Sequence, residues 1–356
     1  MFNENFWSGK RVLITGHNGF KGSWLTFLLQ SIGANVTGVS LKNDDPISLQ
    51  ALLNIEDLCD NYYCDILNVS ELENIFCRSN PEIILNLAAQ AIVSEGYSQP
   101  METFQTNFIG SLNILETARR HASVKAVIMV TTDKVYENLD QHNAFTENDK
   151  LGGEDPYSAS KAASELAIQC YRKSFLDKLD IQVVSVRAGN VIGGGDWAAN
   201  RLIPDLVRSW YNNQSFQIRN PEATRPWQHV LDPLNGYLKL AEYAFNRKLK
   251  ANSYNLGPKK EATPISVRNL VSLAEAVTKK VAVENTAAAP VDIKEAQYLS
   301  LNSQQAHDHY GLETMWTPQK AIEKTFDWYE RFYKGADAKT LVQQNIIDFQ
   351  MTGADQ

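Results

Sequence analysis

Two side chains near the middle of the sequence have the types and spacing needed to take a proton from an alcohol. Tyr157 and Lys161 stand four residues apart and lead into the helix-favouring run 162–167, so on a helix they share one face. A lysine ammonium beside a phenol stabilises the phenolate and lowers its pKa, so the tyrosine can accept a hydroxyl proton near neutral pH. An alcohol gives up that proton as it loses hydride. The pair therefore indicates alcohol oxidation, provided that a hydride acceptor binds beside it.

A second reactive group precedes that helix. Thr132, Asp133 and Lys134 follow a strand-like apolar run, and their side chains are expected to point into the same crevice as Tyr157. Thr132 can hydrogen-bond a reacting hydroxyl, and the next two residues add an acid and a potential base, which a plain alcohol dehydrogenase does not require. The alternative is a surface Asp-Lys pair without a function. The position of the pair, between a glycine turn and Tyr157, favours a functional group.

The hydride acceptor is predicted from three glycines near the start of the chain. Gly16, Gly19 and Gly22 follow the first predicted strand and precede the apolar helix Trp24 to Leu29, which is the context of a dinucleotide-binding turn. The first glycine allows the tight turn, the second lets the backbone approach the pyrophosphate, and the third lets helix pack on strand. The sequence therefore predicts bound NAD.

The second predicted strand lacks the usual partner of the adenosine ribose. It ends Val39-Ser40-Leu41-Lys42, with no Asp or Glu where the ribose hydroxyls commonly find one. Ser40 would replace the acid only weakly, and Lys42 would tolerate a 2′-phosphate, so the sequence alone does not exclude NADP. We therefore expect loose, exchangeable binding of NAD.

The elements that position these groups alternate short apolar strands with helices. The expected strands are Arg11–Thr15, Asn35–Val39, Tyr62–Asp65, Ile83–Leu87, Val124–Thr131, Ile181–Val186 and Ser253–Leu256, with a further helix at Asp232 to Ala244. Near-continuous Val, Ile and Leu runs are typical of parallel strands buried on both faces. We predict an α/β fold, a Rossmann-type doubly wound parallel sheet with a smaller α/β substrate-binding domain. Residues 1–188 plus about 230–257 form the first domain and 189–229 plus 258–356 the second; the polar tail after Phe332 is expected to be partly mobile.

Composition excludes several classes of protein. The 356 residues are 44% hydrophobic, which suits a large core, and a net charge of −7 without a cluster of Lys and Arg argues against binding nucleic acid. No apolar stretch approaches the ~18 residues of a membrane span. The four cysteines form no CxxC pair and have no zinc-ligand spacing, so we expect free thiols, no metal and a cytoplasmic location.

Over essentially its whole length the sequence resembles the extended short-chain dehydrogenase/reductases. The resemblance lies in the order of the glycine turn, Asn86-Leu87-Ala88-Ala89, Asn107, Thr132, Tyr157, Lys161 and Arg187-Ala188-Gly189-Asn190-Val191. Longer runs at 16–24, 132–134, 193–197 and 224–230 are similar to those of the 4,6-dehydratases that act on CDP-glucose. The resemblance implies a hydro-lyase that converts CDP-glucose to its 4-dehydro-6-deoxy derivative, in the biosynthesis of dideoxysugars and lipopolysaccharide O-antigen.

The same resemblance implies a role for each catalytic residue. Tyr157 would deprotonate the glucose 4-hydroxyl, Thr132 would hold that oxygen, and Lys161 would hold the nicotinamide ribose. Asp133 would protonate the departing 6-hydroxyl. Related dTDP-glucose enzymes carry Thr-Asp-Glu where this chain has Thr-Asp-Lys, which leaves two roles for Lys134. As a neutral amine it would be the C5 base, which we favour; as an ammonium it would stabilise the enolate.

The remaining site residues also come from the resemblance. Cofactor contacts are expected from Gly16, His17, Asn18, Gly19, Phe20, Gly22, Ser40, Asp65, Ile66, Leu87, Ala88, Ala89, Asn107, Thr131, Tyr157 and Lys161, with His17 and Asn18 beside the phosphates. Substrate contacts are expected from Gln90, Asn190, Arg201, Arg219 and Arg225. In relatives the helices corresponding to Asn107 to Arg119 and Ser158 to Tyr171 form a dimer interface, so a homodimer is expected.

Two other functions are compatible with parts of this pattern. A nucleotide-sugar 4-epimerase would share the tyrosine, the lysine and the glycine turn, but it would not need Asp133 and Lys134. A catalytically silent NAD-binding protein would not need an intact set of Thr132, Tyr157 and Lys161.

Overall fold

A parallel sheet forms the centre of the molecule in a computed structural model that describes residues 1–140, 143–216, 218, 220–259, 265–280 and 296–354. Its seven strands lie in the order β10-β6-β5-β4-β1-β2-β3, and each pairs in parallel with its neighbour. The strands are β1 (Arg11–Thr15), β2 (Asn35–Ser40), β3 (Asp60–Tyr63), β4 (Ile83–Asn86), β5 (Ala126–Val130), β6 (Gln182–Ala188) and β10 (Ser253–Leu256). The predicted Rossmann-type α/β fold is confirmed.

Helices cover both faces of this sheet and build the remainder of the chain. They are α1 (Glu4–Trp7), α2 (Phe20–Ser31), α3 (Leu49–Leu53), α4 (Val69–Ser79), α5 (Val93–Ser98), α6 (Pro100–Phe104), α7 (Gly110–Arg120), α8 (Pro156–Tyr171), α9 (Leu202–Asn212), α10 (Leu231–Phe245), α11 (Val267–Thr278), α12 (Gln304–Tyr310), α13 (Pro318–Tyr333) and α14 (Ala338–Ala354). The central strands β4 and β5 are buried at every residue, as expected for strands covered on both sides.

Two small sheets lie beside the large one. Strand β7 (Val191–Ile192) pairs in parallel with β9 (Gln228–His229), and β8 (Thr224–Arg225) pairs antiparallel with β11 (Ile265–Ser266). No helix among the described residues is long and apolar enough to cross a membrane.

The strand order reverses at β1, because its crossover to β2 leads one way along the sheet and β4 lies on its other side. In open parallel sheets the crevice at such a point, beyond the carboxyl ends of the strands, is where ligands bind. The glycine turn follows β1 and residues 132–134 follow β5, so the fold brings both groups to the same edge.

Two predictions for individual elements were wrong. The third strand begins at Asp60 and ends at Tyr63, two residues earlier than expected, because Asp65 starts a turn in which its carboxylate accepts the Leu67 N–H at 2.9 Å. The tail after Phe332 is mostly the helix α14. That helix buries Leu341, Val342, Ile346 and Phe349 against the rest of the core, a stripe that the polar composition of the tail conceals.

Candidate active site

The glycine turn between β1 and α2 has the close packing that a dinucleotide requires. Gly16 has a φ of +69°, and a Cβ there would lie 2.9 Å from the backbone nitrogen of Ala88. A Cβ on Gly22 would lie 2.0 Å from the Gly16 carbonyl oxygen, so helix and strand approach closely only with glycine there. Gly19 has no such neighbour and is the N-cap of α2, with its backbone facing the cleft. These features fit a pyrophosphate at the helix N-terminus.

A cavity extends from this turn along the ends of β2, β3 and β4. Of the residues expected to contact the cofactor, those that line it are Gly16, Asn18, Gly19, Phe20, Gly22, Ser40, Asp65, Ile66, Leu87, Ala88 and Ala89. The structure therefore brings most of the predicted cofactor residues together in one concave surface.

His17 is not among the residues that line this cavity. Its side chain is fully buried and packs on β2, where a Cβ on Gly38 would lie 2.4 Å from the imidazole ring. Its Nδ1 is 3.0 Å from Ser40 Oγ, and burial lowers its pKa. A neutral, buried imidazole does not supply charge to a phosphate, so the prediction that His17 lies beside the phosphates concerns its backbone and not its imidazole.

The side-chain amides of Asn107 and Gln90 make hydrogen bonds within the protein. Asn107 donates to Gln90 O at 3.0 Å and to Ser160 Oγ at 2.9 Å, and it accepts the Gln90 N–H at 2.9 Å. Gln90 Nε2 donates to Thr103 Oγ1 at 2.9 Å. Asn107 thus links the loop after β4 to helix α8. The resemblance implied instead that Asn107 contacts the cofactor and Gln90 the substrate.

Helix α8 presents the tyrosine and lysine. Asp155 caps it by accepting the Ser158 N–H at 2.9 Å, and Pro156 occupies the first helical position. Tyr157 is only 9% exposed, and burial raises its pKa to about 12, against a lowering by Thr132. The spacing predicted a lowered phenol pKa, whereas in the structure desolvation outweighs the lowering by Thr132 and Arg201.

Lys161, one turn further along α8, is also buried. Its Nζ donates to Val130 O at 3.3 Å, and burial together with the charge of Lys21 lowers its pKa to about 7. Glu165, one turn further along α8, opposes that lowering. Glu165 also accepts hydrogen bonds from Thr131 Oγ1 at 2.6 Å and from Arg187 Nη2 at 2.8 Å, so Thr131 belongs to this buried network.

The Thr-Asp-Lys run ends β5 as a short helical turn. Thr132 Oγ1 donates to Asp133 Oδ1 at 3.0 Å and also accepts the Lys134 N–H at 3.3 Å. Asp133 is 3% exposed, and burial raises its pKa above the ordinary value. Its Oδ2 has no hydrogen-bond partner among the described residues. Asp133 is therefore suited to hold a proton and to deliver it into the cavity.

A second cavity adjoins the first and contains the reactive groups. Its lining includes Thr131, Thr132, Asp133, Lys134, Tyr157, Asn190, Arg201 and Arg225. Arg201 pairs with Asp196 at 2.9 Å, and Arg225 is 6% exposed and donates to Thr224 O at 2.8 Å. Arg219, predicted to contact substrate, lies outside the described residues.

Lys21 is a cavity residue that the sequence reasoning missed. It lines both cavities, and burial together with Arg201 lowers its pKa to about 8. Its charge also acts on Lys161. The available signal was a lysine inside the glycine turn, next to the third glycine, where a helix N-terminus meets a phosphate.

Comparisons with known proteins agree with this geometry. Residues 12–257 match the model of the NAD dependent epimerase/dehydratase family. The chain is 38% identical to the CDP-glucose 4,6-dehydratase of Salmonella typhimurium over 98% of both chains, and 24% identical to the dTDP-glucose 4,6-dehydratase of Escherichia coli over 90% of this chain and 93% of that relative.

Solved structures share the fold. The Bacillus anthracis dTDP-glucose 4,6-dehydratase in complex with NAD superposes with a TM-score of 0.74 at 22% identity, covering 91% of this chain and 97% of that one. The Thermus thermophilus UDP-glucose 4-epimerase complex with NAD gives 0.77 at 21% identity, covering 91% and 99%. Because dehydratase and epimerase superpose equally well, the fold does not distinguish the two reactions.

Proposed function

The chain belongs to the NAD dependent epimerase/dehydratase family, and on that premise we propose that it converts CDP-D-glucose to CDP-4-dehydro-6-deoxy-D-glucose with loss of water. The observation that carries the proposal is the placement of Asp133 and Lys134 in the same cavity as Thr132 and Tyr157. A 4-epimerase needs only the latter pair. The full-length likeness to a CDP-glucose 4,6-dehydratase supports the same reaction and a CDP-linked substrate.

The first step is oxidation at C4 of the glucose. NAD, when bound, supplies the hydride acceptor for C4 and later the donor for C6. Tyr157 accepts the 4-hydroxyl proton while Thr132 holds the same oxygen. A phenol with a raised pKa needs positive charge beside it to act as a base, and Arg201, whose charge lowers the pKa of Tyr157, provides such charge.

The second step is elimination of water across C5 and C6. The C4 ketone acidifies the C5 proton, Lys134 removes it, and Asp133 gives a proton to the departing 6-hydroxyl. The buried carboxyl of Asp133 keeps its proton at a higher pH than an exposed one would, which suits a general acid. Removal of the C5 proton requires Lys134 as the neutral amine. The other role, an ammonium that stabilises the enolate, predicts a different outcome for the Lys134 variants described below.

Charge recognition of the diphosphate falls to the arginines of the second cavity. Arg201, Arg225 and Asn190 all line it, together with the catalytic residues. A guanidinium presents several donors in a fixed plane and binds phosphate oxygens in pairs. The proposal assigns residues 189–229 and 258–356 to the part of the molecule that binds the nucleotide sugar.

The proposal extends to assembly and location. Ile109, Leu166 and Phe175 expose 40–60% of their surface beside α7 and α8, which supports a homodimer through these helices. Cys59, Cys64, Cys77 and Cys170 are free thiols, which supports action in the reducing cytoplasm. The product would serve dideoxysugar and O-antigen synthesis.

One incubation separates the candidate functions. The purified protein is mixed with CDP-glucose and NAD, and the products are resolved by chromatography and treated with alkali to reveal the absorbance of a 4-keto-6-deoxy sugar. The proposal predicts that absorbance and a product lighter by one water. CDP-galactose without the keto sugar would establish epimerisation, and no turnover would indicate a silent NAD-binding protein.

A further inference from the structure

A buried ion pair connects α8 to β6. Glu165 accepts two hydrogen bonds from Arg187, from Nη2 at 2.8 Å and from Nε at 3.0 Å, and both side chains are 1% exposed. Neither residue is among the described residues that line the two cavities. A buried ion pair is not by itself a source of net stability, because taking both charges out of water can cost as much as their attraction returns. The role of this pair therefore lies in what else it holds.

Glu165 holds the residue that precedes the catalytic run, residues 132–134. Thr131 Oγ1 donates to Glu165 Oε1 at 2.6 Å, and the Thr131 N–H donates to a carbonyl of β6 at 2.9 Å. Lys161, one turn before Glu165 on α8, donates to Val130 O at 3.3 Å. Two side chains of α8 therefore bond to the end of β5, directly before the catalytic run begins.

Arg187 holds the other end of the catalytic run. Its Nη1 donates to Tyr136 OH at 2.8 Å, and that hydroxyl donates to Asn255 Oδ1 at 2.7 Å. The Tyr136 side chain is 2% exposed and stacks on Phe145 with 4.9 Å between the ring centroids. Thr131 and Tyr136 are thus both bonded to one ion pair, with the catalytic run between them.

We infer that the ion pair of Glu165 and Arg187 positions the catalytic run against Tyr157. Glu165 lies about two turns after Tyr157 on the same face of α8, so one helix carries the proton acceptor and the anchor of the run. A displacement of about 1 Å between reacting groups can lower a rate about 100-fold. The inference rests on the proposed function for the reaction that this positioning serves. Glu165, Arg187 and Tyr136 are positioning residues, since none of them lines either cavity.

The test removes one hydroxyl at a time and leaves the ion pair intact. Tyr136→Phe and Thr131→Val each remove the bond at one end of the catalytic run. Ser185→Ala is the matched control, because Ser185 Oγ donates to the same carboxylate at 2.8 Å but lies within β6, where it pairs with Met129. Thr131→Ser keeps the hydroxyl and should keep the rate. Thermal unfolding checks that each variant is folded at the assay temperature.

The rates are measured in single turnovers at saturating CDP-glucose and NAD. Y136F and T131V should be about 10- to 100-fold slower than the unaltered protein, and S185A and T131S should lie within about threefold of it. The affinity for NAD, measured by calorimetric titration, should change by less than about threefold in all four variants, because positioning affects the chemical step and not ground-state binding.

Hydrogen exchange provides a second readout that needs no ligand. Measured by mass spectrometry on a peptide that contains residues 132–136, exchange should be faster in Y136F and T131V than in the unaltered protein and unchanged in S185A. Turnover by Y136F and T131V within about threefold of the unaltered protein would overturn the inference, as would an equal slowing in S185A. If the unaltered protein forms no keto sugar, the proposed function fails, and the exchange rates alone decide: equal rates in Y136F, T131V and S185A would overturn the inference.

Discussion

Replacing Asp133 with asparagine isolates proton donation to the leaving hydroxyl. Asn keeps the shape of the side chain and an oxygen that accepts the Thr132 hydroxyl, now 3.0 Å from Asp133 Oδ1. An amide is uncharged, as the protonated carboxyl is, and fills the same buried space, so the fold should be about as stable as before. What is lost is the transferable proton, and general acid catalysis contributes about 10²- to 10⁴-fold, or about 3–5 kcal/mol of barrier.

The assay compares two substrates under single-turnover conditions. With CDP-glucose, D133N should eliminate water about 10²- to 10⁴-fold more slowly. With CDP-6-deoxy-6-fluoroglucose the leaving fluoride needs no proton from Asp133, so the variant and the unaltered protein should react within a few-fold of each other. The unaltered protein should also lose activity on CDP-glucose as the pH rises through the raised pKa of Asp133, since the protonated carboxyl is the active form.

Two results would refute this reasoning. Near-normal turnover of CDP-glucose by D133N would show that another group protonates the hydroxyl. An equal loss on the fluorinated substrate would show that Asp133 acts in binding or positioning and not as an acid.

Substitutions at three further positions test other parts of the structure. If Lys134 is the C5 base, Lys134→Met should abolish exchange of the C5 hydrogen with deuterated solvent, while Lys134→Glu should retain it. Unchanged exchange in both variants would show that Lys134 is not the base. Arg187 bonds Glu165 at 2.8 Å, and both side chains are 1% exposed. Arg187→Met should therefore leave a buried carboxylate without its cation and lower the free energy of unfolding, measured in urea, by about 3–5 kcal/mol. A decrease of less than about 1 kcal/mol would contradict this. Burial raises the pKa of Asp232 to about 8, so the native protein holds a proton that the unfolded chain releases above pH of about 4. Stability should therefore fall with rising pH between these values by up to about 1.4 kcal/mol per pH unit, and Asp232→Asn should remove this slope; parallel pH profiles of the two proteins would contradict it.

The sheet could be predicted from the sequence because strands buried on both faces leave an apolar signature that needs no tertiary information. Strand β10 was predicted at its observed bounds, and helix α10 extends one residue beyond each predicted end. The bounds of strand β3 were not predicted correctly, because its residues are polar and only partly buried. The turn at Asp65 determines where this strand ends. Helix α14 was missed because its apolar residues are few and spread among polar ones, and only packing against the core reveals the stripe.

The spacing of the motifs predicted which site residues come together whenever the backbone itself fixes their positions. Thr132, Asp133, Lys134 and Tyr157 meet in one cavity because β5 ends and α8 begins at the same edge of the sheet. Side-chain direction was not predictable in the same way. His17 turns beneath β2, where the absence of a Cβ at Gly38 leaves room for the ring, and no local pattern shows this pairing.

Charge states also depend on burial, which a sequence gives only indirectly. The spacing of Tyr157 and Lys161 suggested a lowered phenol pKa, whereas burial raises it and lowers that of the lysine.

Transfer of the C4 hydrogen tests the dehydratase reaction most directly. CDP-glucose carrying deuterium at C4 is incubated with the protein and NAD, and the product is analysed by NMR. The proposed chemistry predicts a 4-dehydro-6-deoxy sugar with the deuterium at C6 of the same molecule and a solvent hydrogen at C5. Deuterium returned to C4 of CDP-galactose, or recovery of unchanged substrate, would contradict it.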